Sequence, residues 1–223
     1  MLIENLNQSI IKCKKCPRLV KFRKKISLEK RKEFINQTYW GKPITGFGDI
    51  KSKILLVGLA PAAHGGNRTG RVFTGDKSSD FLYKCLYKVK ISNQPNSTHL
   101  DDGLKLEKSF ITTALKCVPP EDKPLREELD NCSKFFDKEI NHLKNLKVII
   151  ALGKIGFDAC VYYFKSNYDF EEKIKFGHGK FFKVPKNILL VGCYHPSPRN
   201  VNTGRINVNK MTNLFKKVLK LVN

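Results

Sequence analysis

The sequence predicts an α/β protein, a three-layer α/β/α sandwich around a central four-stranded parallel sheet. Four apolar segments have strand length, are rich in β-branched residues and are uninterrupted, which is typical of strands buried on both faces. Amphipathic helical patterns alternate with them along the chain. With 223 residues, of which 41% are hydrophobic, we expect a single domain over residues 1–223 whose N-terminal arm covers residues 1–50.

The predicted strands and helices follow one another in a simple order. The strands lie at residues 53–59 (KILLVGL), 110–115 (FITTAL), 147–153 (KVIIALG) and 187–194 (NILLVGCY). The helical patterns cover residues 78–89, 124–143, 155–164 and 208–222, with a further short basic helix within residues 21–34. Because parallel sheets bind ligands at the carboxyl ends of their strands, we expect the loops after the first, second and last strands to form the site.

Charge is the strongest compositional signal. The chain has 42 Lys and Arg against 20 Asp and Glu, a formal net charge of +22, which favours nucleic acid as the partner. Lysine-rich codon usage is the alternative explanation. The lysines are spread along the chain, no apolar run reaches the roughly 18 residues of a membrane span, and the N-terminus lacks a secretory pattern. We therefore predict a cytoplasmic monomer without a membrane partner.

The seven cysteines fall into two groups. Three lie in apolar segments and are predicted to be buried small hydrophobic residues: Cys85, Cys160 and Cys193. Four are flanked by charges and prolines and are candidate metal ligands: Cys13, Cys16, Cys117 and Cys132. A reducing compartment and an odd count disfavour disulfides, so the spacing predicts a metal and leaves zinc and iron–sulfur both open.

Two loops carry the candidate chemistry. Residues 58–76, GLAPAAHGGNRTGRVFTGD, contain five glycines and one aromatic residue but neither GxGxxG nor GxxxxGK[ST], so a phosphate-binding role is not indicated. Glycines let a backbone approach a flat ligand closely, and Phe73 offers a stacking face. Residues 195–205, HPSPRNVNTGR, place an imidazole directly after a strand and a proline-stiffened basic tip beyond it.

These two loops, the four candidate cysteines and the α/β alternation together resemble the uracil-DNA glycosylase superfamily. The resemblance covers nearly the whole chain and is greatest to the iron–sulfur members from bacteria and archaea, in particular family 5 (type B). It implies a monofunctional glycosylase that flips a deaminated base out of DNA, hydrolyses its N-glycosidic bond and leaves an abasic site. It also implies that Cys13, Cys16, Cys117 and Cys132 hold a [4Fe–4S] cluster, for which we expect a structural role.

The resemblance and the loops themselves suggest roles for individual residues. We expect His195, which matches the family's motif histidine, to donate to a base oxygen. Many relatives place a polar residue in the first loop where this chain has Leu59 and Ala60, so we expect Asp76, the nearest carboxylate, to position the water or to steady the sugar cation. The expected base-binding residues are Gly58, Ala60, Phe73, Thr113 and His195. The expected DNA-binding residues are His64, Asn67, Arg68, Arg71, Ser197, Arg199 and Asn200. Two alternatives stay open, because Asp76 precedes a helix and could cap it, and His64 could make a structural hydrogen bond.

Thr113 stands where relatives often carry an asparagine that reads uracil. A hydroxyl cannot make the two simultaneous hydrogen bonds of an amide, so hypoxanthine or xanthine are further candidate substrates. Alternatively, Thr113 is only a strand residue and backbone groups read the base. Two other functions are considered. One is a catalytically weak iron–sulfur protein that binds nucleic acid, and the other is a protein in which the cysteines hold a structural zinc ion.

Overall fold

The computed structural model describes residues 2–222 and contains one six-stranded mixed sheet in the order β1-β3-β2-β4-β6-β5. The strands are β1 (Phe47–Gly48), β2 (Ile54–Gly58), β3 (Ser109–Thr113), β4 (Val148–Leu152), β5 (Phe181–Val184) and β6 (Ile188–Cys193). The four central strands are parallel, whereas β1 and β5 pair antiparallel at the two edges. The predicted α/β class and the four parallel strands are confirmed, and the prediction missed the two edge strands.

Helices cover both faces of this sheet. They are α1 (Ile3–Ile11), α2 (Pro17–Glu29), α3 (Gly66–Thr69), α4 (Lys77–Lys88), α5 (Arg126–His142), α6 (Lys154–Asn167), α7 (Pro198–Asn202) and α8 (Val208–Val222). Successive residues of β2 point to opposite faces: Ile54 and Leu56 pack with α4 and α8, and Leu55 and Val57 pack with α5 and α6. None of the helices in residues 2–222 has both the length and the apolar character of a membrane span.

The N-terminal arm is tied to two of the loops at the carboxyl edge of the sheet. The Trp40 and Gly41 amides donate to the carbonyls of Arg68 and Asn67 at 2.9 and 3.0 Å, and the Ile44 amide donates to the Lys116 carbonyl at 2.8 Å. A two-pronged ion pair joins α2 to α5, with Arg18 Nε and Nη2 each 2.7 Å from a carboxylate oxygen of Glu128. The arm therefore helps to hold these loops in place.

Candidate active site

The loops after β2 and β6 bring an aromatic ring and an imidazole together. The ring centroids of Phe73 and His195 lie 6.0 Å apart with an interplanar angle of 34°. Gly58, the last residue of β2, lies in register with Thr113, the last residue of β3. We call this group of four residues, at the carboxyl edge of the sheet, the slot.

Phe73 adopts a backbone conformation that bulky residues rarely use. Its φ is +46°, in the left-handed region, which costs on the order of 1–3 kcal/mol and is concentrated at functional sites. The ring packs directly on Gly58, where a Cβ atom would lie 2.7 Å from Phe73 Cζ. Glycine at this position lets the ring close over the end of β2.

His195 follows β6 and is partly exposed, although protein surrounds most of its ring. This burial lowers its pKa from 6.5 to about 4, since a charged imidazole loses hydration there. Asn200 Nδ2 donates to the His195 carbonyl at 2.9 Å, and Gly153, at φ +99°, leaves room for the His195 side chain. The imidazole is thus held neutral and can donate one N–H.

The end of β3 is held from below by a buried lysine. Lys116 Nζ donates to the Thr113 carbonyl at 2.8 Å and to Thr112 Oγ1 at 2.6 Å, and it pairs with Glu139. Thr113 is itself buried. Ala60, expected beside the base, is partly buried and packs against the small apolar cluster around Leu115 and Cys132, so its observed contacts lie toward the cysteines.

Asp76 is the N-cap of α4. Its carboxylate accepts from the Ser79 amide at 2.9 Å, while the Asp76 amide donates to Ser79 Oγ at 3.0 Å, the reciprocal arrangement of a capping box. The capping alternative is therefore observed. Burial raises the pKa of this carboxyl above its ordinary value. Asp76 also lines an open groove with His64, Arg68 and His99.

Two residues predicted to contact DNA are buried instead, which corrects those assignments. Arg71 bonds to Asp102 Oδ2 at 2.6 Å, to Ser97 Oγ at 2.9 Å and to Thr74 Oγ1 at 3.0 Å. Asn67 is buried and directs its amide toward the Arg23 carbonyl at 3.4 Å. Because every one of these polar contacts lies inside the protein, both side chains shape the loop and are not free to meet phosphates.

The other predicted DNA-binding residues lie at the surface. His64 Nδ1 lies 2.9 Å from the Tyr39 hydroxyl, as the structural alternative expected, and Arg68 bonds to the His64 and Gly75 carbonyls. Both still line the open groove. Ser197 caps α7, whose first turn carries Arg199, an exposed residue, and Asn200.

The four candidate ligand cysteines line one cavity, together with Leu19, Leu115 and Phe135. Cys13 and Cys16 come from the N-terminal arm, Cys117 from the loop after β3 and Cys132 from α5, where its sulfur accepts from the Lys116 amide at 3.2 Å. In residues 2–222, no three histidine, cysteine or acidic side chains are grouped closely enough to bind a single metal ion. Cys85, Cys160 and Cys193 are fully buried, which confirms that prediction.

Sequence reasoning missed the residues that hold the site in place. Lys116, Glu139, Asp102 and Tyr39 each bond to a predicted site residue or to the segment that carries it. The only available signal was position: Lys116 directly follows an apolar strand and precedes Cys117. A charged side chain in such a place is buried only when paired.

Comparison with known proteins agrees with this architecture. The family model described as uracil DNA glycosylase superfamily matches residues 45–222. A type-5 uracil-DNA glycosylase of Mycobacterium leprae is 39% identical over 98% of this chain and 95% of its own length, and one of Thermus thermophilus is 41% identical over 89% of each. A type-4 enzyme of Sulfurisphaera tokodaii is 26% identical over 98% of this chain and 84% of its own length. The chain belongs to the uracil DNA glycosylase superfamily.

Proposed function

We propose that this chain removes uracil from DNA by hydrolysing the N-glycosidic bond, which leaves an abasic site. The enzyme class follows from the family and from relatives named as uracil-DNA glycosylases. The observation that carries the proposal is the slot, in which the Phe73 and His195 rings lie 6.0 Å apart beside the ends of β2 and β3. The +22 charge suits a DNA substrate.

The slot matches the demands of base excision. A base taken out of the stack costs a few kcal/mol and needs a close-fitting pocket, and Phe73 offers the stacking face. Bond cleavage builds positive charge on the sugar and negative charge on the departing base. An N–H of the neutral His195 imidazole donates to a base oxygen and stabilises that negative charge, and such a donor contributes roughly 2.7–4 kcal/mol in comparable sites.

Asp76 is proposed to position the attacking water in addition to capping α4. One carboxylate oxygen accepts from the Ser79 amide, and the side chain lines the open groove, which is the proposed path of the water. Asp76→Asn separates the two roles, because asparagine is an equally good N-cap but a poor base. We expect unchanged thermal stability and a fall in turnover of roughly 10²-fold or more. Unchanged turnover would leave Asp76 with the cap alone.

Substrate range is proposed to extend to hypoxanthine or xanthine. Thr113 presents one hydroxyl at the end of β3, where a bidentate amide would select uracil more strictly. The Thr113 carbonyl already accepts a hydrogen bond from the Lys116 ammonium inside the protein. Because an asparagine side chain supplies the bidentate amide, Thr113→Asn is expected to narrow the substrate range toward uracil. The measurement is the ratio of the excision rate on uracil to the rate on hypoxanthine or xanthine.

We further propose that Cys13, Cys16, Cys117 and Cys132 hold a [4Fe–4S] cluster. Four thiols lining one cavity are the donor set of such a cluster, and the Lys116 amide supplies a hydrogen bond to Cys132 of the kind that accompanies iron–sulfur ligation. The group would cross-link three distant segments of the chain. Anaerobic purification distinguishes it from zinc, because a cluster protein is brown and a zinc protein is colourless.

The central experiment measures excision from duplexes that carry one uracil, hypoxanthine or xanthine. Purified protein is incubated with each labelled duplex, and abasic sites are cleaved with alkali. Alkali-dependent scission at uracil supports the proposal. Tight, salt-sensitive binding without scission at any base would instead support the catalytically weak DNA-binding alternative.

A further inference from the structure

A basic groove lies in the N-terminal arm, outside the residues 45–222 that the family model matches. It is a groove of about 690 Å³ between α1, α2 and residues 39–42. Its basic lining residues are Lys12, Lys14, Arg23, Lys24 and Lys42, and none of its twelve lining residues, all within the described chain, is acidic. We call this feature the arm groove.

The charges of the arm groove face solvent. Lys12, Lys14, Lys24 and Lys42 are exposed, and within residues 2–222 none of the four takes part in an ion pair. Arg23 differs, since it is buried and donates to the carbonyls of Gly41 and Cys13. Arg23 thus stiffens the groove floor while the four lysines supply its charge.

The chain's single tryptophan forms part of the same lining. Trp40 is partly exposed, its Nε1 donates to the Pro43 carbonyl at 3.1 Å, and Lys42 Nζ lies 5.1 Å from its ring centroid. An aromatic face among unpaired lysines is characteristic of surfaces that bind nucleic acid. Lysines arranged in this way bind phosphates as point charges and read no sequence.

The arm groove is also connected to the open groove beside the slot. Tyr39, which lines the arm groove, bonds to His64 at 2.9 Å. The neighbouring Trp40 and Gly41 amides are bonded to the Arg68 and Asn67 carbonyls. The two grooves are therefore joined through Tyr39 and His64.

We propose that the arm groove binds the sugar–phosphate backbone of duplex DNA outside the lesion and so extends the footprint of the enzyme. The inference rests on the proposed function in taking DNA as the ligand, and it adds a binding surface remote from the slot. Binding here is independent of base identity, because only phosphates are contacted. It lengthens residence on undamaged DNA and leaves the chemical step unchanged.

The test compares two triple variants of the full-length protein with equal loss of charge. One carries Lys12→Gln, Lys24→Gln and Lys42→Gln, and the matched control carries Lys216→Gln, Lys217→Gln and Lys220→Gln, three exposed lysines of α8. Affinity for an undamaged duplex of about 30 base pairs is measured over a range of salt concentrations. For the arm variant we expect about tenfold weaker binding, and a salt slope smaller by roughly 0.9 for each lost phosphate contact.

Trp40 supplies a local readout. Its fluorescence should change when the undamaged duplex binds, since the chain has no other tryptophan. The proposal is overturned if the arm and α8 variants bind alike, or if Trp40 emission is insensitive to bound DNA, as a protein-binding groove would predict. If the proposed function is wrong, the protein releases no base from damaged duplexes, whereas its binding to undamaged DNA is unaffected. The two failures are therefore distinguishable.

Discussion

The slot and the cysteine cavity both lie at the carboxyl edge of the sheet, yet they are held in opposite ways. The slot is built from two loops, and its imidazole is neutral through burial. The cysteine cavity collects segments from the N-terminal arm, the loop after β3 and α5, and ion pairs join those segments. Burial sets the pKa of the imidazole in the slot, whereas ion pairs join the segments that form the cysteine cavity.

Lys116 is where the two regions meet. Its amide donates to Cys132 Sγ, and its ammonium donates to the Thr113 carbonyl at the edge of the slot. Glu139, its partner, also accepts from the Gly46 amide at 3.0 Å. Lys116 therefore contacts both the cysteine cavity and the end of β3.

Lys116→Met should have the largest effect on folding. It leaves the Glu139 carboxylate buried without its cation, and breaking such a pair costs about 3–5 kcal/mol. Urea unfolding measures this loss. Replacing both partners, Lys116→Met with Glu139→Gln, should recover most of the stability, and Lys154→Met, at an exposed pair on α6, should change little. A double variant as unstable as the single one would contradict this account.

His195→Ala tests the slot alone. Removal of one hydrogen-bond donor to the departing base is expected to lower kcat by roughly 10²–10³-fold, with the unfolding midpoint little changed. His142→Ala, at the last residue of α5, is the matched control and should retain full activity. Single-turnover kinetics on uracil duplexes separate the chemical step from binding. An active His195→Ala enzyme would remove the imidazole from the mechanism.

Features written in local sequence patterns could be predicted, whereas features that depend on contacts between distant residues could not. The four central strands are uninterrupted apolar runs, and the loop motifs carry the family resemblance, so the fold class and family were predicted and are confirmed. The edge strands were missed because β1 has only two residues and β5 contains an exposed lysine. Arg71 was misassigned because its partner, Asp102, lies 31 residues away, and only the folded loop brings the two together.

Acid should destabilise the protein because His195 is buried and neutral in the folded state. The pKa of His195 is about 4 in the folded state and 6.5 in the unfolded state, so between these values the unfolded chain binds a proton that the folded chain does not. Stability is therefore full above pH 6.5 and falls as the pH drops toward 4, by up to about 3 kcal/mol from this residue. Denaturation of native protein and His195→Gln is compared across this range. Curves of equal slope would show that the imidazole is not buried as described.

Gly58→Ala should have the smallest effect and probes how closely the slot is fitted. The new methyl group would lie 2.7 Å from Phe73 Cζ, so the ring must turn away at a cost of about 1 kcal/mol or slightly more in stability. Because stacking on Phe73 holds the flipped base, kcat/KM on uracil duplexes should fall by about tenfold, equivalent to about 1.4 kcal/mol. Gly177→Ala, whose added methyl meets the flexible methylenes of Lys180 first, should retain activity. If both variants behaved alike, close packing of Phe73 on β2 would not matter to the slot, and catalysis would depend on His195 without an aligned aromatic partner.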